Sequence, residues 1–355
     1  TFAGVHVLRN EPSIAAVWEP KLTTAGYDPR PLELADKTAA TIGMAMTEKQ
    51  GGSDLRMTQT KAEPAGDGSH LLTGHKWFCS APMSDAFLTL ARTDAGVTCF
   101  LLPRSLPDGR RNAIRLQRLK DKIGNRSNAS SELEFDQAQA WRVGPEGRGI
   151  ATLIEMAHLT RFDIIVAAAG MMRAMLNQAS HHAAGRAAFG RLLADQPLMR
   201  NVLADLTIEV EAATLLAFRV ASAFDRALID EHERGLARVM VPIAKYWLCK
   251  RLSVVAVEAM ECIGGNGYVQ EHPVARLYRE APLNGIWEGS ANVICLDVLR
   301  VMQKEPDALA GFFDELARGA DAPLHAHLHT TRAMLADVAS VEANARRVIE
   351  RLAIA

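Results

Sequence analysis

Four short stretches carry residue types whose spacing suggests chemistry. In IWEGSAN (286–292), Glu288 stands between a bulky aromatic and a glycine, directly ahead of a helical pattern. A carboxylate in a partly apolar pocket keeps its proton to higher pH, which suits a general base working near neutrality. A helix start is also an ordinary place for a glutamate, held there by the helix dipole. In GMAMTEKQGGSD (43–54), Thr47, Gly51, Gly52 and Ser53 share one loop. Small residues let backbone amides approach an anion, and the two hydroxyls can bond the heteroatoms of a flat cofactor. A plain tight turn would use the same residues. In GHKWFCS (74–80), Trp77 and Phe78 precede Ser80 within a strand, either as an aromatic wall for a heteroaromatic ring or as an inward-facing core pair. Finally, RAAFG (186–190), Gln196 and GGNG (264–267) offer a planar guanidinium for phosphate and glycines for close backbone approach, or simply a turn and a helix cap at Gly264.

Other chemistries find less support. GxxxxGK[ST] is missing and no GxGxxG follows a strand, which disfavours a P-loop and a Rossmann site. The five cysteines are scattered without a CxxC, so neither a disulfide framework nor a zinc site is expected. His325, His327 and His329 alternate without a nearby Asp, Glu or Cys at ligand spacing, so they read as a solvated loop and no metal is expected. With 40 Lys and Arg against 41 Asp and Glu, no global field draws the chain to nucleic acid or to an anionic membrane. The longest apolar stretch, 164–172, is about half a membrane span. A cytoplasmic protein is expected.

The elements that must position these residues are legible in the punctuation. At 355 residues the chain is too long for one ordinary core, so two or more domains are expected. Residues 42–149 hold 12 Gly and 5 Pro, whereas 150–262 hold 4 and 2. The first block reads as an antiparallel β domain built of SHLLTGHKWF, DAFLTLART, GVTCFLLP and SSELEFD. In the second, Val202, Leu206, Val210, Ala213, Ala217 and Val220 form a helical stripe, and similar patterns at 150–184, 235–262 and 291–303 predict a four-helix bundle. Breaks are expected at GRAAFG, at GGNGY and in a loop from Pro282 to Gly285. Residues 1–40 are mixed in pattern, and 304–355 read as two weaker helices.

In order and spacing together, the four stretches resemble the acyl-CoA dehydrogenase flavoprotein family over about residues 41–303. Within it they are most similar to the alkylation-response (AidB-like) branch, through MTEKQGGSD, GHKWF, LPDGRRNAIRLQRLKDKIGNRSNAS, TRFD, QPLMR and IWEGSAN. The resemblance implies an α+β multidomain fold: a remnant of an N-terminal helical domain at 1–40, a β domain at 41–145, a helical bundle at 146–303 and a helical extension at 304–355. Because the chain starts at Thr1 and stops within a helical pattern, it is expected to be a fragment, with that leading domain mostly missing.

The resemblance also implies a site. FAD would be held by Met44, Met46, Thr47, Gly52 and Ser53, by Phe78, Cys79 and Ser80 along the isoalloxazine, and by Trp287, Ser290 and Asn292. Arg186, Phe189 and Gln196 would reach the FAD of a neighbouring subunit, with Gly264 and Gly265 near its adenine. That requires a homo-oligomer, a dimer at least and by family habit a tetramer. Glu288 matches the catalytic base, with Arg161 and Gly289 close to substrate. Some relatives carry the base just before the arginine of TRFD, where this chain has Thr160. The implied reaction is α,β-dehydrogenation of an acyl-CoA thioester, Glu288 taking the α-proton and flavin N5 the β-hydride, with an electron-transfer flavoprotein or another acceptor reoxidising the flavin. Trp287 replaces the tyrosine often found before the base and would reshape the acyl site.

The alternative implied by the branch is a flavin-containing DNA-binding, alkylation-response protein. Residues 104–126 carry eight Lys or Arg against Asp108 and Asp121. Residues 304–355, where the branch places its DNA-binding helices, hold 6 basic against 8 acidic residues, which disfavours DNA.

Overall fold

The segments Ala86–Thr93 and Gly96–Pro103 are buried at nearly every position because both of their faces are covered. In the computed structural model, which describes residues 1–355, the chain divides into two units, Thr1–Leu159 and Thr160–Ala355. The first contains α1 (Phe2–Leu8), α2 (Pro12–Leu22), β1 (Ile42–Ala45), β2 (Lys61–Pro64), β3 (His70–Ser80), β4 (Ala86–Thr93), β5 (Gly96–Pro103), β6 (Ile114–Leu119), β7 (Ser130–Arg142) and the start of α3 (Gly149–Gly185). Strands β4, β2, β3, β7 and β5 pair in that order, and β5 returns to β4, so the sheet closes on itself. Inside it lie Phe87, Phe100, Leu102, Leu133 and Phe135. On the outer side of β4 and β5, Leu88, Leu90, Cys99 and Leu101 pack with α1, α2 and the start of α3. Strands buried on both faces read as continuous apolar runs. β7 has one covered face, so Leu133 and Phe135 alternate with polar residues as the sequence pattern implies.

The sheet is not wholly antiparallel as expected. β1 runs parallel to β4, from Ile42 opposite Ala86 to Ala45 opposite Thr89, and Lys61 of β2 meets Arg92 of β4 in the same sense. The β2–β3 hairpin between β1 and β4 supplies the long connection that parallel pairing needs. β6, within the basic segment, pairs with β7, and its cations meet acidic side chains there: Arg115 with Asp136, and Arg118 and Lys120 with Glu132.

The second unit holds the rest of α3, then α4 (Pro197–Arg226), α5 (Glu231–Ile263), α6 (Pro273–Asn284), α7 (Ala291–Lys304), α8 (Pro306–Ala317), α9 (Ala322–Ala336) and α10 (Ala345–Ile354), with a small hairpin, β8 (Ala187–Ala188) and β9 (Arg191–Leu192), before α4. The four expected long helices are α3, α4, α5 and α7. On α4, Leu206, Val210, Ala213, Ala217 and Val220 are buried as the stripe predicts. α5 lies at the centre, with every residue from Val239 to Cys249 buried.

Three local expectations are corrected. Pro282 lies inside the last turn of α6 rather than in a loop, with Gly285 as the C-cap. The final segment forms three helices rather than two. The three histidines sit on α9, whose start is fixed by Asp321 capping Leu324 N–H and by Pro323 in the first turn, and the His327 ring bonds the Arg351 carbonyl. All five cysteines are buried and unbridged. No helix is long and apolar enough to cross a membrane.

α3 starts where the chain passes β5 at closest approach. A Cβ on Gly149 would lie 2.5 Å from the Cys99 nitrogen and from the Thr98 carbonyl carbon. Backbone cannot move aside as a side-chain tip can, so Gly149→Ala is expected to destabilise the first unit by about 1–3 kcal/mol. Chemical denaturation read by circular dichroism checks this; an unchanged midpoint would refute the close packing.

Candidate functional site

Each unit brings together its own set of expected residues. In the first, the Thr47 loop and the aromatic strand are joined directly, the Trp77 amide donating to the Thr47 carbonyl at 2.7 Å. The β3–β7 register slips between Lys76 and Cys79, and this irregularity changes which side chains face the core. Lys76 and Cys79 point inward, whereas Trp77 is half-buried and Phe78 is 53% exposed. A simple strand would have put the two aromatics on opposite faces; the extra residue of a bulge turns both outward. The inward-facing core pair is thereby excluded. The Lys120 ammonium lies 3.3 Å from the Trp77 ring centroid and 4.7 Å from that of Phe78. Cys79 is corrected as a side-chain contact: its thiol is in the core, pushed up to about 12 by burial, and only its backbone is available to a ligand. The Ser80 hydroxyl is exposed and accepts from Asn128 at 3.2 Å.

The loop itself hangs on Glu48, which sequence reasoning passed over. Its carboxylate takes five donors, from Gln50, Gln59 N–H, both groups of Thr60 and the Lys76 ammonium at 2.8 Å. Burial alone would raise its pKa, but the Lys76 charge and these hydrogen bonds hold it down at about 2. Above this anchor Met44, Met46, Thr47 and Gly52 are half-buried and Ser53 is exposed. A Cβ on Gly52 would come within 2.5 Å of Thr47 Oγ1, so only glycine lets the loop fold against that hydroxyl.

In the second unit, the α6–α7 connection carries Trp287 to Ser290. Glu288 has φ 55° and Gly289 φ 104°, so two successive residues occupy the left-handed half of the backbone map. That is costly for a glutamate and natural for glycine. The turn is held from behind: Arg161 Nε donates to the Glu288 carbonyl at 3.0 Å, and Lys245 Nζ to the Gly289 carbonyl at 2.5 Å. Arg161 is in turn paired with Asp297 of α7 at 2.7 Å. A Cβ on Gly289 would lie 2.9 Å from the Ile294 side-chain tip, which would have to shift. The Glu288 carboxyl accepts from Thr160 Oγ1 at 2.9 Å. Thr160, at the alternative position expected for a base, thus touches Glu288, the candidate at the other position. Enclosed by protein on most sides yet reached by solvent, Glu288 has its pKa raised by burial, against the Thr160 hydrogen bond and the Arg161 and Lys245 charges. Lys245 is the second residue missed. A single lysine inside the apolar run VMVPIAKYWLC was its signal.

The remaining expected residues lie on the β8–β9 hairpin, at the end of α5 and at the start of α7. Phe189 and Gly190, with φ 53° and 81°, form the two-residue turn of the β8–β9 hairpin, and Phe189 is 95% exposed at its tip. Arg186 is exposed beside it, and Gln196 is engaged, donating to the Ala188 carbonyl at 3.1 Å. Gly264 caps α5 with φ 71°, as the cap reading has it, whereas a Cβ on Gly265 would meet nothing within 4 Å. Ser290 is the N-cap of α7, and Asn292 Oδ1 accepts from Arg346 of α10 at 2.7 Å. On the first unit the residues present fit a flavin: the exposed Phe78 ring beside the Ser80 hydroxyl, and Gly52 folded against Thr47.

Residues 43–138 match the acyl-CoA dehydrogenase middle domain and residues 147–303 the acyl-CoA dehydrogenase C-terminal domain. The chain is 49% identical to AidB of Escherichia coli K12 over 318 residues, which is 89% of this chain and 58% of AidB. It is 34% identical to acyl-CoA dehydrogenase family member 11 of Caenorhabditis elegans, over 82% of this chain and 49% of the relative, so it spans about half the length of these curated relatives. The structure of Caenorhabditis elegans ACDH-11 in complex with C11-CoA superposes with a TM-score of 0.87 at 28% identity, over 99% of this chain and 65% of that one.

An acid whose pKa is raised by folding keeps its proton where the unfolded chain has lost it. Stability therefore falls as pH rises from the ordinary carboxylate range to the raised value. Glu288→Gln is expected to raise the melting temperature at about pH 8 and to change it little at about pH 4. Thermal melts at the two pH values check this, and an equal effect at both would contradict the raised pKa.

Proposed function

From the premise that this chain belongs to the acyl-CoA dehydrogenase family, we propose that it is an FAD-dependent dehydrogenase that removes the α-proton of an acyl-CoA thioester through Glu288. The observation that carries the proposal is the Glu288 turn: a half-buried carboxylate of raised pKa on a backbone fixed by two cations.

A thioester α-proton is weakly acidic, so the base needs both proton affinity and placement. Burial supplies the first by disfavouring the carboxylate relative to the acid. Thr160 supplies part of the second, holding one carboxyl oxygen and leaving the other to face a proton. The Glu288 amide is assigned to the thioester carbonyl, where a fixed donor stabilises enolate-like charge without reorganising. FAD, when bound, supplies the acceptor for hydride from the β-carbon and passes the electrons to an external partner such as an electron-transfer flavoprotein. Thr47, Gly52, Ser53, Phe78 and Ser80 are its proposed contacts on the first unit, and Trp287, Ser290 and Asn292 on the second. The Asn292 side-chain oxygen is already held by Arg346, so its amide nitrogen is the group left for a ligand. Phe189, presented on its hairpin with Arg186, is assigned to the cofactor of a neighbouring copy, which makes the working form a dimer at least. The pairing of Arg115, Arg118 and Lys120 with β7 carboxylates leaves the basic segment with less charge for DNA than its sequence suggests.

Protein purified with added FAD should show flavin absorbance, and anaerobic acyl-CoA of matching chain length should bleach it. A protein that cannot be reconstituted overturns the cofactor assignment. Glu288→Gln should keep the flavin and slow bleaching by about 10²-fold or more; bleaching at the wild-type rate removes Glu288 as the base.

A further inference from the structure

Three lysines are almost completely buried, and one lacks what the others have. Lys37 meets Asp85 at 2.8 Å, and Lys76 meets Glu48 at the same distance. Each also donates to main-chain carbonyls. Lys245, 1% exposed at the centre of α5, has no carboxylate within ion-pairing range, and its hydrogen bond goes to the Gly289 carbonyl. An ammonium taken out of water without a counter-ion is destabilising, and a methionine would fill a similar space without that cost.

We infer that Lys245 is a positioning residue for the Glu288 base: its ammonium, bound to the Gly289 carbonyl, locks the left-handed turn and adds to the positive field that Arg161 sets up at the Glu288 carboxyl. The inference rests on the proton-abstracting role proposed for Glu288. The positive φ of Glu288 and Gly289 shapes the turn, and its two successive carbonyls are held by Arg161 and Lys245. The groups facing Glu288 are Thr160, Arg161 and Asp163 from α3 and Lys245 from α5. Arg161, whose charge also acts on Glu288, is paired with Asp297, so Lys245 is the cation facing Glu288 that has no carboxylate in ion-pairing range. Lys245 is faced by Cys249 on its own helix, by Arg161 and by Glu288. The Cys249 thiol, pushed up to about 11 by burial, stays neutral across the working range. Burial brings Lys245 itself down to about 8, so its charge can be removed within an accessible pH range.

The test is an infrared titration of the Glu288 carboxyl in the purified chain, its band identified by loss in Glu288→Gln. Lys245→Met should raise the midpoint by about one pH unit or more, and Lys245→Arg should leave it within about half a unit of wild type. An unchanged midpoint in the methionine variant overturns the inference. If that variant fails to fold, wild type and Lys245→Arg decide the matter: the ionised Glu288 band should show a second step near pH 8 in wild type and none in the arginine variant. The same step in both overturns it. Bleaching by acyl-CoA is read separately. Where it occurs, Lys245→Met should slow it about tenfold or more with flavin still bound. If no acyl-CoA bleaches wild-type flavin while the methionine variant shifts the titration, the dehydrogenase reading falls and the positioning of Glu288 by Lys245 stands.

Discussion

A carboxylate on a loop keeps a fixed place only if the loop cannot swing, and in this chain that constraint is met by cations gripping the main chain. Arg161 and Lys245 hold successive carbonyls of the Glu288–Gly289 turn from α3 and α5. Much of the second unit serves this arrangement. Lys245 can be where it is because α5 is the central helix, buried from Val239 to Cys249. Arg161 stays aimed because Asp297 of α7 holds its other nitrogen. Position 289 suits glycine because its φ of 104° is one that L side chains rarely adopt. Helix packing thus becomes backbone geometry at a single carboxylate, and burial of that carboxylate sets its proton affinity.

The first unit solves a related problem with the opposite electrostatic outcome. Glu48 is buried where Glu288 is half-buried, yet five donors hold it ionised, so it is an anchor with no capacity to take a proton near neutrality. Burial raises a carboxyl pKa, and the number and charge of the donors decide whether the rise survives. With one hydroxyl donor, Glu288 keeps its rise; with an ammonium and four further donors, Glu48 loses it.

What could be read from sequence follows from the range of the interactions involved. Helices α3, α4, α5 and α7 were legible because their periodicity is local and long. The alternation in β7 was legible because one of its faces is covered. The parallel β1–β4 pairing was not, since it joins residues 44 positions apart with no pattern at either end. Nor was α6, whose Pro282 reads as a breaker although the last turn of a helix tolerates it. The outward turn of Trp77 and Phe78 depends on a one-residue slip of register, which no periodicity predicts. At the site, Glu288, Thr160 and Arg161 stood out through motifs. Glu48 and Lys245 did not, because a charge inside an apolar run becomes meaningful only once its partner, Lys76 or the Gly289 carbonyl, is placed beside it.

The buried cysteines have a consequence outside catalysis. Cys79 and Cys99 lie within the first unit, and Cys249, Cys262 and Cys295 within the second, all enclosed, unbridged and raised in pKa by burial. A thiol reagent can reach none of them in the closed chain and must wait for a fluctuation that brings one to solvent. Modification of each sulfur therefore works as a clock on local opening. Two of the clocks keep time for the sheet and three for the helices, so the unprobed protein already contains separate reporters of how often each half breathes.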